Sequence, residues 1–106
     1  MLTQITARRD EIAAICRRHH VRRLELFGSA GRGIGFDPAR SDIDFLVEFH
    51  TDRTPALAGF FALRKELSDL LGHPVDLLSA AALRNPYRRA SIHATRIVVF
   101  AASYPA

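Results

Sequence analysis

Residues 42–49 alternate without a break: Ile43, Phe45, Val47 and Phe49 are apolar, and Asp42, Asp44, Leu46 and Glu48 fill the places between. Period-two alternation predicts a β-strand with one face on a core, because successive side chains point to opposite sides. Asp42 and Asp44 then share the face turned away from Ile43 and Phe45. Two carboxylates held this close repel each other unless something positive joins them. A divalent cation with hard oxygen ligands is the natural guest. The Asp-x-Asp spacing alone is weak, since two solvated aspartates at a strand edge would look the same.

The preceding segment sharpens the reading. Val21–Phe27 predicts another strand, with Leu24 and Leu26 on one parity and Arg23, Glu25 and Phe27 on the other. It runs into residues 28–35, which hold four of the six glycines. A glycine turn with exposed backbone N–H groups suits phosphate oxygens. Gly28 lets the backbone come close, Ser29 can donate its hydroxyl, and Arg32 can add a charge-assisted hydrogen bond. Neither a P-loop nor a dinucleotide fingerprint is present, because no Gly-Lys-Ser/Thr follows and the Gly-x-Gly-x-x-Gly helix start is missing.

The rest of the chain supplies helices. Ile5, Ile12, Ile15 and Cys16 mark one face of a helix over residues 3–20, with Thr3 or Thr6 as a capping residue. A second helix over Leu57–Leu71 carries Leu57, Phe60, Phe61, Leu63, Leu67, Leu70 and Leu71, and Gly72 closes it. Phe60 and Phe61 are expected in the core, and any apolar strip left exposed there would be a partner surface. A short strand over residues 75–78, a helix over 86–95 and a last strand over 96–100 complete the chain. Helices alternating with strands predict an α/β (α+β) fold, a small mixed β-sheet with helices packed on one face. With 106 residues the chain is expected to be a single domain spanning 1–106.

Composition removes several classes. No apolar run approaches the roughly 20 residues of a membrane span, and the N-terminus lacks the apolar region of a secretory signal. One cysteine cannot make an internal disulfide, so the expected compartment is the reducing cytoplasm. Cys16 lies on the apolar stripe and reads as core, not nucleophile. The net charge is +4, and fourteen of the fifteen basic residues are arginine. Eight of them fall in four separated pairs, Arg8-Arg9, Arg17-Arg18, Arg22-Arg23 and Arg88-Arg89, a pattern that more often edges solvated helix faces than builds a continuous nucleic-acid groove. The five histidines show no metal-ligand spacing.

A third acid, Asp76, sits among Val75, Leu77 and Leu78. A charge inside an apolar strand is costly unless paired or metal-bound. If that strand neighbours the one bearing Asp42 and Asp44, three carboxylates converge. Such a site suits two-metal phosphoryl or nucleotidyl transfer.

At this point the chain resembles a known family. Leu26-Phe27-Gly28-Ser29-Ala30-Gly31-Arg32-Gly33, then Ser41-Asp42-Ile43-Asp44-Phe45-Leu46-Val47-Glu48-Phe49, then Pro74-Val75-Asp76-Leu77, is similar to the minimal nucleotidyltransferases (MNT type) of the DNA polymerase β-like superfamily. The resemblance covers nearly the whole chain. It implies that Gly28 and Ser29 grip the triphosphate of ATP, with Arg32 beside them. It implies that Asp42 and Asp44 bind Mg²⁺, two ions in all, and that Asp76 completes the site. Two departures stand out: Gly31 where the family usually has alanine, and twelve residues between Ser29 and Asp42, with residues 34–40 as a modest extension.

Larger members of the superfamily carry an acceptor-binding domain, and this chain is expected to take its acceptor surface from another protein. Its size resembles the antitoxin of a HEPN/MNT toxin–antitoxin pair, which implies transfer of AMP from ATP to a tyrosine of a partner HEPN-type RNase toxin. A homo-oligomer is compatible with the sequence. Other readings stay open at this stage: a non-catalytic antitoxin acting by occlusion, transfer to a small molecule or to RNA with a separate acceptor-binding subunit, and a nucleic-acid binder resting on charge and scattered arginines alone.

Overall fold

The computed structural model describes residues 3–27, 43–50, 52–53, 55–80 and 96–102. Seven elements follow in order: α1 (Thr3–Ala7), α2 (Arg9–Arg18), β1 (Val21–Phe27), β2 (Ile43–Phe49), α3 (Leu57–Leu71), β3 (Val75–Ser79) and β4 (Ile97–Ala101). The four strands form one mixed sheet in the order β3-β2-β1-β4. β1 runs antiparallel to β2 and β4, and β2 runs parallel to β3. A parallel pair needs a crossover, which α3 provides. The expected helix over residues 86–95 lies outside the described residues.

Alternation decides which strand face is covered. Leu24, Leu26, Ile43, Phe45, Val47, Val75, Leu77 and Val99 are buried in one cluster with Ile5, Ile12, Ile15, Cys16, Leu63 and Leu67 from the helices. Val21 has the parity of Arg23 yet belongs to this core, because the β1–β2 register shifts between Val21 and Arg23. A bulge of this kind flips a side chain to the other face. Phe27 and Leu46 are buried on the opposite face, with Leu78 and Ala80 packed beside them.

The first helix departs from expectation. It is not continuous from 3 to 20 but breaks at Arg8, whose φ of −113° and ψ of 18° leave helical geometry. Arg8 precedes α2 and its side chain makes no capping hydrogen bond. Ile5 and Ile12 on either side of the break are both fully buried. α3 follows its expected bounds, and Gly72 ends it in the left-handed region at φ 62°. The His73 N–H then donates to the Ser68 carbonyl at 3.2 Å, the six-to-one bond of a Schellman ending.

Only Leu63 and Leu67 of α3 are buried. Phe60 is half-buried, and Phe61 and Leu57 are exposed at 48% and 71%. The expectation that Phe60 and Phe61 are both core is therefore corrected: one helix can turn only about a third of its girth to a sheet. α3 and α2 are fastened at the surface by Glu66, which pairs with Arg18 at 2.8 Å and accepts a hydrogen bond from His19. These bonds hold the Glu66 carboxyl below its ordinary range, the one from His19 contributing most. Among the described residues no helix is long and apolar enough to cross a membrane.

Candidate active site

The start of β2 is tied to the start of β3. The Ile43 N–H donates to the Pro74 carbonyl at 3.0 Å, and the parallel ladder runs from there as Ile43 with Val75, Asp44 with Asp76 and Phe45 with Leu77. Paired residues on neighbouring strands point to the same side, about 4.8 Å apart along the hydrogen-bonding direction. Ile43, Phe45, Val75 and Leu77 turn to the helices and are buried. Asp44 and Asp76 therefore stand side by side on the face away from them, Asp44 half-buried and Asp76 exposed. The expected adjacency of the two strands holds. The exposure of Asp76 means that no burial cost constrains it.

On its other flank Asp44 is paired with Phe27. Phe27 is the last residue of β1, and Gly28 and Ser29 follow it in the sequence. Gly28, Ser29, Arg32 and Asp42 themselves lie outside the described residues. The pairing thus sets, across one face, Phe27 at the end of β1, then Asp44, then Asp76 on the edge strand.

Asp76 is positioned by the end of α3. The Ser68 Oγ accepts a hydrogen bond from the Val75 N–H at 3.2 Å, and the Ser68 carbonyl accepts the closing bond of the helix. One residue thereby sets both where α3 stops and where β3 begins. A cleft of about 490 Å³ opens here, lined by Phe61, Arg64, Lys65 and Ser68 of α3 and by Pro74, Val75 and Asp76. The Arg64 guanidinium lies over the Phe61 ring at 5.4 Å. Lys65 is held to Asp69 at 2.8 Å, and that bond raises its pKa.

The sequence reading passed over Glu25. It shares the open face of β1 with Phe27 and is 3% exposed. Its Oε1 lies 3.1 Å from Arg23 Nε and its Oε2 3.4 Å from Arg96 Nη1, although neither Arg23 Nε nor Glu25 Oε2 is aligned for a hydrogen bond. The available signal was an acid in mid-strand on the parity of a buried Phe27. Cys16, by contrast, is the core residue expected: burial pushes its thiol up to about 12, against a smaller lowering from Arg17. At that value it is no nucleophile.

The donor chemistry fits a hard divalent cation, because two carboxylates project in parallel from adjacent strands. Two do not complete a cage, and no group of three or more metal-type side chains assembles among the described residues. Asp42, which the sequence pairs with Asp44 as a metal ligand with Asp76 as the third acid, lies outside the described residues.

Known proteins share the family and the fold of this chain. The family model described as a nucleotidyltransferase domain matches residues 9–99. A candidate protein adenylyltransferase of Methanocaldococcus jannaschii, MJ0128, is 41% identical over 98 residues, covering 85% of this chain and 96% of its own. A second from that organism, MJ1379, is 35% identical with the same coverage. A solved structure of a candidate minimal nucleotidyltransferase superposes with a TM-score of 0.71 at 35% identity, over 88% of this chain and 90% of the other. A Shewanella oneidensis complex of tri-AMPylated HEPN toxin with MNT antitoxin gives a TM-score of 0.66 at 17% identity, over 92% and 73% of the two chains. At that identity it speaks for a shared fold.

Proposed function

The chain belongs to the nucleotidyltransferase domain family, and on that basis we propose that it is a protein adenylyltransferase moving AMP from ATP to a tyrosine hydroxyl of a HEPN-type toxin, thereby acting as its antitoxin. The observation that carries the reading is the register pairing of Asp44 with Asp76 on the open face, beside the strand end that feeds the Gly28-Ser29 turn. The relatives named for protein adenylylation and the fold shared with antitoxin complexes support the acceptor class.

In this reading Gly28, Ser29 and Arg32 bind the triphosphate through backbone N–H groups, a hydroxyl and a guanidinium. Asp42, Asp44 and Asp76 are the residues that would hold Mg²⁺, which when bound neutralises phosphate charge and favours ionisation of the acceptor hydroxyl. The acceptor oxygen bonds to the α-phosphorus of ATP as the bond from that phosphorus to the α–β bridging oxygen breaks. Pyrophosphate leaves with the electron pair, and Asp76 takes the hydroxyl proton.

The test is a transfer assay with labelled ATP and Mg²⁺, using the purified chain with and without the HEPN-type protein encoded beside it. Label should appear on the partner and vanish in Asp44→Asn. Neutralisation of the partner by Asp44→Asn, with no label in either case, would instead establish inhibition by occlusion.

A further inference from the structure

Glu25 occupies a place where an acid is hard to keep. It is 3% exposed on the open face of β1, and its Oε2 accepts no aligned hydrogen bond among the described residues. Apolar side chains often fill such a place with no loss of stability, so stability alone does not explain the acid. What the carboxylate gathers is positive charge. Arg23 Nε lies 3.1 Å from its Oε1, and Arg96 Nη1 lies 3.4 Å from its Oε2. Two guanidiniums around one carboxylate leave one positive charge in excess. Both arginines still reach solvent, with side chains 42% and 37% exposed.

The register brings this charge to the candidate site. Glu25 is paired with Leu46, two positions along β2 from Asp44, so the two acids are diagonal neighbours on one face. Ile97 is paired with Leu26, which sets Arg96 beside Phe27 on the side away from Asp44. Asp76, Asp44, Phe27 and Arg96 therefore follow one another across the sheet. Arg96 is two strands from Asp44, roughly 10 Å by strand spacing. Phe27 between them is buried, and an apolar floor weakens the screening of a charge above it. Arg22 and Arg23 stand further along the strands, level with Glu48. Arg64 and Lys65 stand on α3, which packs against the other face.

Reaction at the α-phosphorus places that atom at the carboxylates and the cations they hold. The β- and γ-phosphates then lie away from Asp44 and carry charge of their own to be neutralised. A guanidinium in the row of Asp44 meets that need, since its planar fork binds two phosphate oxygens at once. We propose that Arg96 binds the terminal phosphates of the nucleotide, and that Glu25 is the positioning residue that holds its guanidinium. The proposal rests on the transferase reading above and adds these two residues to it.

Calorimetric titration of the intact chain with Mg²⁺ and a non-hydrolysable ATP analogue reads the contact apart from turnover. Arg96→Gln should weaken the analogue about tenfold or more, the scale of a lost hydrogen bond between charged groups. It should leave AMP binding unchanged, because AMP lacks the phosphates that Arg96 meets, and AMP binding also reports a folded site. Arg96→Lys keeps a charge beside Glu25 and should lose an intermediate amount through the missing fork. Glu25→Gln should weaken the analogue several-fold in the parent chain and not at all in the Arg96→Gln background. A merely structural role would not produce that non-additivity. Equal affinity of the parent and Arg96→Gln for the analogue, or an equal loss for AMP, would overturn the phosphate contact. Additive losses in the double variant would overturn the positioning role. Weaker analogue binding in Arg96→Gln, in a chain that never labels its partner, would leave the contact standing and remove the transferase reading. Labelling of the partner with unchanged KM for ATP in Arg96→Gln would do the reverse.

Discussion

Asp44 and Asp76 are register partners in the parallel pairing of β2 with β3, so two acids separated by thirty-one positions of sequence stand on neighbouring strands and the same face. Their placement is a consequence of main-chain hydrogen bonding, beginning with the bond from Ile43 to Pro74. Side-chain flexibility has little part in it.

Substitution at this pair should separate chemistry from folding. Asp44→Asn is expected to lower transfer by roughly 10²–10³-fold, the scale seen when one preorganised electrostatic group is removed. Asp76→Asn should lose roughly 10²–10⁴-fold if the carboxylate accepts the proton. Asp76→Asn should unfold in urea no earlier than the parent chain, because Asp76 is exposed and like charges on adjacent strands are repulsive. Steady-state transfer kinetics beside urea titrations check both halves.

Glu66 predicts an acid-sensitive clamp between α2 and α3. Its pKa is lowered in the folded state, so the unfolded chain binds the proton more readily. The stabilisation is present above the ordinary glutamate value of about 4.3 and is lost as pH falls through the lower folded value. Glu66→Gln should therefore reduce stability near neutral pH and flatten the acid limb of a plot of Tm against pH. An unchanged acid limb in that variant would show that Glu66 is not the linked group.

Cys16 should be inert to thiol reagents in the folded protein. Its side chain is fully buried and its thiol titrates near 12, so almost no thiolate exists at pH 8. Reaction with an aromatic disulfide reagent is expected only as fast as global unfolding, and to become immediate in denaturant. Rapid reaction of the native chain would contradict the core placement.

Leu67 is fully buried under the sheet. Leu67→Ala should cost about 2–5 kcal/mol, the range for a large-to-small change in a core. Leu57→Ala on the exposed face of the same helix should stay within about 0.5 kcal/mol. Paired chemical denaturation of the two variants measures the difference directly.

Glu25 carries a subtler expectation. Glu25→Gln removes a buried charge from between Arg23 and Arg96, both still partly open to solvent. The loss should be about 1–3 kcal/mol, the scale for a buried polar group deprived of its partner, and should shrink at high salt where the arginine pair repels less. Urea midpoints at low and high salt read both effects.

Much of this molecule was legible in its sequence because much of it is governed by local periodicity. The alternation of residues 42–49 announced β2 and put Asp44 opposite Ile43, and the heptad-like leucines with Gly72 set the bounds of α3. The pattern Gly-Ser, spacer, Asp-x-Asp pointed to the family that the residues 9–99 match confirms. Periodicity cannot say which strands meet. That Asp76 pairs with Asp44, that Val21 rejoins the core across a bulge, and that Glu25 is enclosed between two arginines are results of register between distant segments. Phe61 shows the same limit from the other side. Its apolar chemistry is written in the sequence, but whether it faces the core or solvent depends on how α3 is rolled against the sheet. Leu63 and Leu67 take the buried positions, and the helix has only one face to give.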